Sequence, residues 1–173
     1  LKQVYLAGPQ VFLPDAQAYF ARAKQICKQY SLNAVCPFDG NPSEEIGLQK
    51  ARWIFENNCR LIDASDLIIA DLTQFRGALV DDGTSFEIGY AFHSGKTIYG
   101  FAKLLRPLLQ MVPRKIATKP HASGYEIDQD GFLVNEDFGN SVNLMIEMAI
   151  YGSGGKLVEG NLEILLDRIR AEN

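Results

Sequence analysis

Leu67-Ile68-Ile69-Ala70-Asp71-Leu72 is the stretch on which the fold turns. It is apolar except for Asp71 and lacks the alternation of a strand with one wet face, so it reads as a central parallel strand buried on both sides. A carboxylate ends that run, and in open α/β sheets ligands sit beyond the carboxyl ends of the strands. Asp71 and the following loop, residues 73–82, therefore mark the expected place of chemistry. Upstream, Ala51, Ile54, Phe55, Asn58, Leu61 and Ile62 recur at helical spacing. Asn58 is the polar member of this stripe, and it either has a buried partner or looks into a cleft at the helix end. Before it, Asp39, Gly40, Asn41 and Pro42 are loop chemistry. Residues 34–36 read as a strand. Phe12, Ala16, Tyr19, Phe20, Ala23, Ile26, Cys27 and Tyr30 outline one buried helical face, and residues 4–7 form a first strand ending at Gly8-Pro9. Strand, tight turn, helix and strand make a βαβ unit, which implies a parallel sheet.

Working toward the C-terminus, Thr84 opens a helix running to about Ser94, Gly95 takes the usual stop position, and residues 97–101 are the next strand. Residues 106–139 contain several prolines and glycines with little periodicity, and read as a long excursion with a small hairpin around Asp130-Gly131. Residues 143–151 read as a short helix, 152–155 as a hinge and 157–169 as a last amphipathic helix. Nothing repeats internally, and the expectation is a single domain spanning residues 1–173.

The 173 residues are 47% hydrophobic and 22% charged, the balance of an ordinary globular chain that needs no disulfide or structural metal. Seventeen Lys and Arg against 21 Asp and Glu give a net charge of −4. With no clustered basic run, a nucleic acid or polyphosphate groove is disfavoured. Cys27, Cys36 and Cys59 are odd in number and lack CxxC spacing, as suits reduced, buried thiols in a cytoplasmic protein. No apolar run approaches the length of a membrane span and no leader is visible, although the chain begins at Leu1 rather than Met, which leaves an upstream address open. A soluble cytoplasmic protein is expected, without membrane partner, metal or organic cofactor.

The densest polar cluster is Asp81-Asp82-Gly83-Thr84-Ser85-Phe86-Glu87. Two readings stand side by side. Thr84 and Glu87 have the spacing of a capping box. Equally, Glu87 lies at a helix start near the strand ends, where a carboxylate can be a nucleophile, with Asp81 and Asp71 able to converge on it. The run from Gly89 to Thr97 resembles a phosphate loop but has five residues between its glycines instead of four and ends a helix rather than starting one. His93 and His121 have no partners at metal spacing. Taken singly, Tyr5 and Phe12 read as core, and Arg76 as a solvated loop cation.

Taken together, Tyr5-Leu-Ala-Gly-Pro9, Asn58-Cys-Arg-Leu-Ile-Asp-Ala-Ser-Asp66, Phe75-Arg76-Gly77, the run from Asp81 through Glu87 to Ala91, and Asn143-Leu144-Met145 resemble the nucleoside 2-deoxyribosyltransferase family over about residues 4–150. The resemblance implies a flavodoxin-like α/β fold, a doubly wound parallel sheet of about five strands with helices on both faces. It implies Glu87 as the nucleophile, with Asp81 and Tyr5 holding the sugar and the nucleophile. Asn143 and Met145 would reach into a neighbouring subunit's site, making a homo-oligomer with shared active sites. Gly8, Phe12, Asn58, Asp71 and Arg76 complete the candidate substrate-binding set. Some family members carry Asp where this chain has Asn58, which leaves this position a hydrogen-bonding role. The apolar loop Gly8-Pro9-Gln10-Val11-Phe12 differs from the polar, glycine-rich phosphate cradle of the related deoxynucleotide hydrolases, and so favours a nucleoside.

The chemistry implied is transfer of 2-deoxyribose between nucleobases in nucleoside salvage. Breaking an N-glycosidic bond builds positive charge on the anomeric carbon, and a carboxylate can collapse onto it before a second base attacks from the same side. The alternatives are a 2'-deoxynucleoside 5'-monophosphate N-glycosidase and a non-catalytic nucleotide-sensing module on the same fold.

Overall fold

The computed structural model describes residues 1–40 and 44–171. The expected loop residues Asn41 and Pro42 lie outside the described residues. Five parallel strands form the central sheet: β1 (Lys2–Ala7), β2 (Leu32–Val35), β3 (Leu67–Asp71), β4 (Thr97–Ala102) and a fifth from the C-terminal region, Leu157–Glu159. In sheet order they run second, first, third, fourth, fifth, all parallel, which is the flavodoxin-like order. The order reverses between β1 and β3. Ala7 pairs with Ala70 there, so Gly8 comes level with Asp71 at the carboxyl edge.

Helices cover both faces. Residues of α1 (Ala16–Gln29) and of the C-terminal helix (Leu162–Ala171) pack against Val4, Leu6, Ile69 and Phe101 on one side. On the other side α2 (Gly47–Asp63), α3 (Asp82–His93) and the helix Leu144–Gly152 cover Tyr5, Ile68, Ala70 and Ile98. All five residues of β3 are buried, as its unbroken apolar run requires. Between β4 and the last helices, residues 106–139 hold a short helix α4 (Leu108–Met111) and a three-stranded antiparallel sheet of β5 (Thr118–Pro120), β6 (Glu126–Asp128) and β7 (Leu133–Val134). The expected hairpin at Asp130-Gly131 joins β6 to β7. Its turn is closed by Asp128 Oδ1, which accepts from the backbone N–H of Asp130 and Phe132, and Gly131 takes a positive φ of 91°. Continuing in chain order, Leu144–Gly152 is α5, Leu157–Glu159 is β8 and Leu162–Ala171 is α6.

The elements differ from the sequence expectations in five places. α1 starts at Ala16, because Pro9–Phe12 forms a separate 3-10 turn and leaves Phe12 about half exposed instead of on the buried face. β2 runs Leu32–Val35 rather than 34–36. In α2 the stripe of Ala51, Ile54 and Phe55 is exposed in the single chain, while Asn57 and Ile62 are buried. α3 begins at Asp82, capped by Asp81 rather than opened by Thr84. The predicted helix over 157–169 is a strand followed by a helix, because residues 157–159 pair with Gly100, Phe101 and Ala102. Three residues are too few for a period of two to stand out.

Candidate active site

Three elements bring Tyr5, Asn58 and Glu87 together. Tyr5 sits on β1 with its ring fully buried among Ile68, Ile88 and Ile98 on the α3 side of the sheet. Glu87 lies in the second turn of α3, placed by the cap before it: Asp81 Oδ2 accepts from Thr84 N at 2.8 Å and from Thr84 Oγ1 at 2.9 Å. Asn58 is carried by α2, which is tied to α3 where Tyr90 Oη donates to Asp63 Oδ2 at 2.9 Å. The result is a carboxylate held by two donors on one oxygen. Tyr5 Oη donates to Glu87 Oε1 at 2.6 Å and Asn58 Nδ2 donates to the same atom at 3.4 Å. Among the described residues, no hydrogen bond falls on Oε2. The first expectation for Asn58 fits this geometry: its Nδ2 has a part-buried partner in Glu87, while its buried Oδ1 has none.

Burial raises the Glu87 carboxyl from its ordinary 4.5 to about 7, with the Asp81 charge adding to the rise and the Tyr5 and Asn58 donors opposing it. Near neutral pH the group is therefore poised between its two forms. Burial, and then the neighbouring Glu87 charge, pushes the Tyr5 phenol far up, so it stays protonated and donating. A carboxylate with one oxygen fixed and the other free, inside a partly desolvated niche, is equipped to attack a carbon that is gaining positive charge.

Asp71 stands across the sheet edge from this cluster. Side chains alternate along β3, so Asp71 points the same way as Ile69, toward α1 and α6, whereas Glu87 approaches from the α3 side. Of the carboxylates expected to converge, Asp81 and Glu87 act on each other, and Asp71 faces the opposite layer. Its Oδ1 accepts from Thr73 N at 2.8 Å and its Oδ2 accepts from Gln10 Nε2 at 2.5 Å. Gly8 lies between the two carboxylate environments. Its φ of 156° is one that residues with a Cβ rarely adopt, and a Cβ there would come within 3.1 Å of Asp71 Cβ, so glycine suits this position.

Beside Asp71 is an aromatic and cationic platform. Phe12 and Phe75 stack at 5.0 Å between ring centroids, and the Arg76 guanidinium lies 5.0 Å from the first ring and 4.7 Å from the second. Arg76 adopts a left-handed φ of 49°, which costs a non-glycine residue about 1–2 kcal/mol and is held by this stacking.

Asn143 and Met145 lie elsewhere in the chain. Asn143 caps α5, its Oδ1 accepting from Met145 N at 3.0 Å, and its Nδ2 donates to Glu136 Oε2 at 3.2 Å. Both residues line a groove of about 740 Å³ between α3 and α5, to which Tyr5, Asn58 and Glu87 do not contribute. Met145 is 72% exposed. Gln10, Phe75 and Glu136 were not in the candidate set read from sequence; Phe75 adjoins Arg76 and Gln10 lies between Gly8 and Phe12, while Glu136 gave no local signal. His, Cys, Asp and Glu side chains are nowhere grouped in threes suited to a metal ion among the described residues, and no described helix is long and apolar enough to cross a membrane.

Comparison with known proteins gives concordant results. A family model described as nucleoside 2-deoxyribosyltransferase matches residues 4–145. A protein of Schizosaccharomyces pombe is 37% identical, with 88% of this chain and 78% of the relative covered. A solved 2-deoxyribosyltransferase from Leishmania mexicana superposes with a TM-score of 0.74 at 30% identity, covering 100% of this chain and 99% of that one. A CMP N-glycosidase from Clostridium botulinum shares the fold, with a TM-score of 0.53 at 15% identity over 98% of this chain and 99% of its own.

Proposed function

Because the chain belongs to the nucleoside 2-deoxyribosyltransferase family, we propose that it moves a 2-deoxyribosyl group from one nucleobase to another by double displacement through an ester on Glu87. The observation that carries this reading is the Tyr5–Glu87 contact at 2.6 Å, with both donors on Oε1. Oε2 is then the attacking atom. As the glycosidic C–N bond of a bound deoxynucleoside breaks, its electron pair leaves with the base nitrogen, which takes up a proton. Oε2 forms a bond to the anomeric carbon on the face opposite the departing base. The nitrogen of a second base then attacks from the original side and gives up its proton to solvent, offsetting the one the departing base took up, while the C–O bond to Glu87 breaks and the carboxylate is restored with configuration retained.

The other candidate residues take roles consistent with their places. The nucleoside lies across the carboxyl edge between β1 and β3, passing over Gly8, with the sugar on the Tyr5–Glu87 side and the base toward Asp71, Phe12 and Arg76. Asp81, besides capping α3, accepts from a sugar hydroxyl through its second oxygen. Substrates are deoxynucleosides and free bases. Asn143 and Met145 serve a neighbouring copy, since they line a groove apart from their own chain's Glu87 and Met145 is presented to solvent. The active species is thus a homo-oligomer. Hydrolysis is the second reading: the same ester forms, and water replaces the acceptor base.

The test is base exchange. A deoxynucleoside is incubated with and without a second free base, and products are separated by chromatography. New deoxynucleoside in the presence of acceptor supports transfer. Free base released at the same rate with or without acceptor supports hydrolysis, and no consumption of any deoxynucleoside or its 5'-monophosphate sinks both.

A further inference from the structure

Helix α2 buries an amide where a core residue would be expected. Of its 17 residues only Asn57 and Ile62 are buried, while Ala51, Ile54 and Phe55 face outward in the single chain. A buried amide costs free energy unless its two ends are paired, and both are. Asn57 Nδ2 donates to the backbone O of Asp39 at 2.8 Å, and Arg60 Nη2 donates to Asn57 Oδ1 at 2.6 Å. The loop after β2 that receives Asn57 is itself fixed. Lys24 Nζ, from α1, donates to both Asp39 carboxylate oxygens at 2.5 Å, and Asp39 Oδ2 accepts from Cys36 N at 2.9 Å. Gly40 makes room for the approach: its φ of 119° suits glycine, and a Cβ there would stand 2.6 Å from Asn57 Oδ1.

A second tie lies at the end of the helix, where Asp63 accepts from Tyr90 Oη at 2.9 Å on Oδ2 and from Lys96 Nζ at 2.7 Å on its backbone O. Asn58 sits between the two ties, its Nδ2 donating to Glu87 Oε1 at 3.4 Å. Successive helix residues project about 100° apart, so the same turn aims Asn57 at the loop and Asn58 at Glu87. The Glu87 bond has little slack. Helix side chains reach roughly 5 Å from the axis, so a rotation of about 10° carries the Asn58 amide about 1 Å and breaks it. Ile62 is the one apolar residue of α2 buried against such a rotation. We propose that Asn57 is a positioning residue for Glu87: its tie to Asp39 sets the rotation of α2 and so holds the Asn58 amide on Oε1. This rests on the reading of Glu87 as nucleophile, because a donor fixed on Oε1 leaves Oε2 as the attacking oxygen.

The test is the titration midpoint of Glu87 in the full chain, followed by NMR with 13C-labelled glutamate carboxyls and identified by the signal lost in Glu87→Gln. Asn58 donates to the charged form, so Asn58→Ala raises the midpoint by roughly 0.5 pH unit. Asn57→Ala raises it as far, although the hydrogen bonds of Asn57 go to Asp39 and Arg60. The double variant goes no higher than either single one, since both remove the same bond. Tyr5, Asp81 and Cys59 also interact with Glu87; a shift that Asn57→Ala produced through them would persist when residue 58 is already Ala. Equal shifts from Asn57→Ala in the two backgrounds therefore overturn the proposal. So does an unmoved midpoint in Asn58→Ala or in folded Asn57→Ala, the latter being the result if a neighbouring copy on the outward stripe fixes α2 instead. Gly40→Ala pushes the Asn57 amide away from the loop side and takes its place, under the same criteria, if circular dichroism shows Asn57→Ala unfolded. In base exchange the rising limb of the pH–rate profile moves up with the NMR midpoint, and a fixed limb counts against the nucleophile reading alone. If no deoxynucleoside is consumed, the transferase reading falls, and the NMR cycle still upholds or overturns the positioning role.

Discussion

Replacing Glu87 with Gln should make the protein more stable at alkaline pH while abolishing transfer. The folded carboxyl titrates near 7 against an ordinary 4.5, and burial is the leading cause. Between these values the folded state holds a proton that the unfolded chain has released, so wild-type stability falls as pH rises through that window and levels off above it. At about 1.4 kcal/mol per pH unit the gap amounts to no more than about 3.5 kcal/mol. Partial solvent contact of the side chain lowers this to about 2 kcal/mol. The glutamine is neutral throughout, and its carbonyl can still accept from Tyr5. The two proteins should therefore melt together near pH 4 and diverge by pH 8, with the variant higher by about 4–8 °C for a domain of this size. Differential scanning calorimetry across that range is the assay, paired with chromatographic measurement of base exchange. An unchanged melting difference from pH 4 to pH 8 would refute the argument that desolvation of Glu87 is the dominant cause. A folded variant retaining more than about a hundredth of wild-type turnover, a barrier change under roughly 2.7 kcal/mol, would refute the nucleophile.

Tyr5→Phe removes the stronger donor on Oε1, so the rising limb of the pH–rate profile, set by Glu87 ionisation, should move up by about one pH unit or more, as a hydrogen bond to a charged group is worth about 1.5–3 kcal/mol; an unmoved limb would separate the pair functionally. Asp81→Asn keeps an oxygen to cap α3, whereas Asp81→Ala loses the cap and about 1 kcal/mol of stability. If Asp81 also holds the sugar, both variants raise KM, and a normal KM in Asp81→Asn would leave it a cap only. Mixing inactive Glu87→Ala chains with inactive Asn143→Ala chains should restore partial activity if each site draws on two chains. Failure to complement after verified subunit exchange would place Asn143 and Glu87 in service of one chain.

The strands and helices were legible wherever their periodicity ran long enough to declare itself. The run from Leu67 to Leu72 is apolar on both faces, and α1 repeats its small and aromatic residues every three or four positions from Ala16 to Cys27, so each element carries its own burial pattern. The helix carrying Glu87 was legible for the same reason, and motif order tied it to Tyr5 and Asn143 by resemblance. Where a segment was short, or its apolar face stayed exposed in the single chain, the pattern misled. The three residues of β8 merged with the helix that follows, and the stripe of Ala51, Ile54 and Phe55 looks outward. Phe12 has the spacing of a core residue of α1 but sits in a turn, stacked on Phe75.

Three relations exist only in the folded chain. Tyr5 and Glu87 are 82 positions apart, and no local period records that they meet. Sheet register and the seating of α3 on β3 and β4 decide it. Asp71 and Glu87 face opposite layers because strand side chains alternate and the two groups reach the carboxyl edge from different sides. A groove between α1 and α6 is lined by Tyr19, Ala23, Leu162 and Glu163, from two helices remote in sequence. Sequence periodicity states which face of an element avoids water; which faces meet, and at what distance, follows from packing the elements against one another.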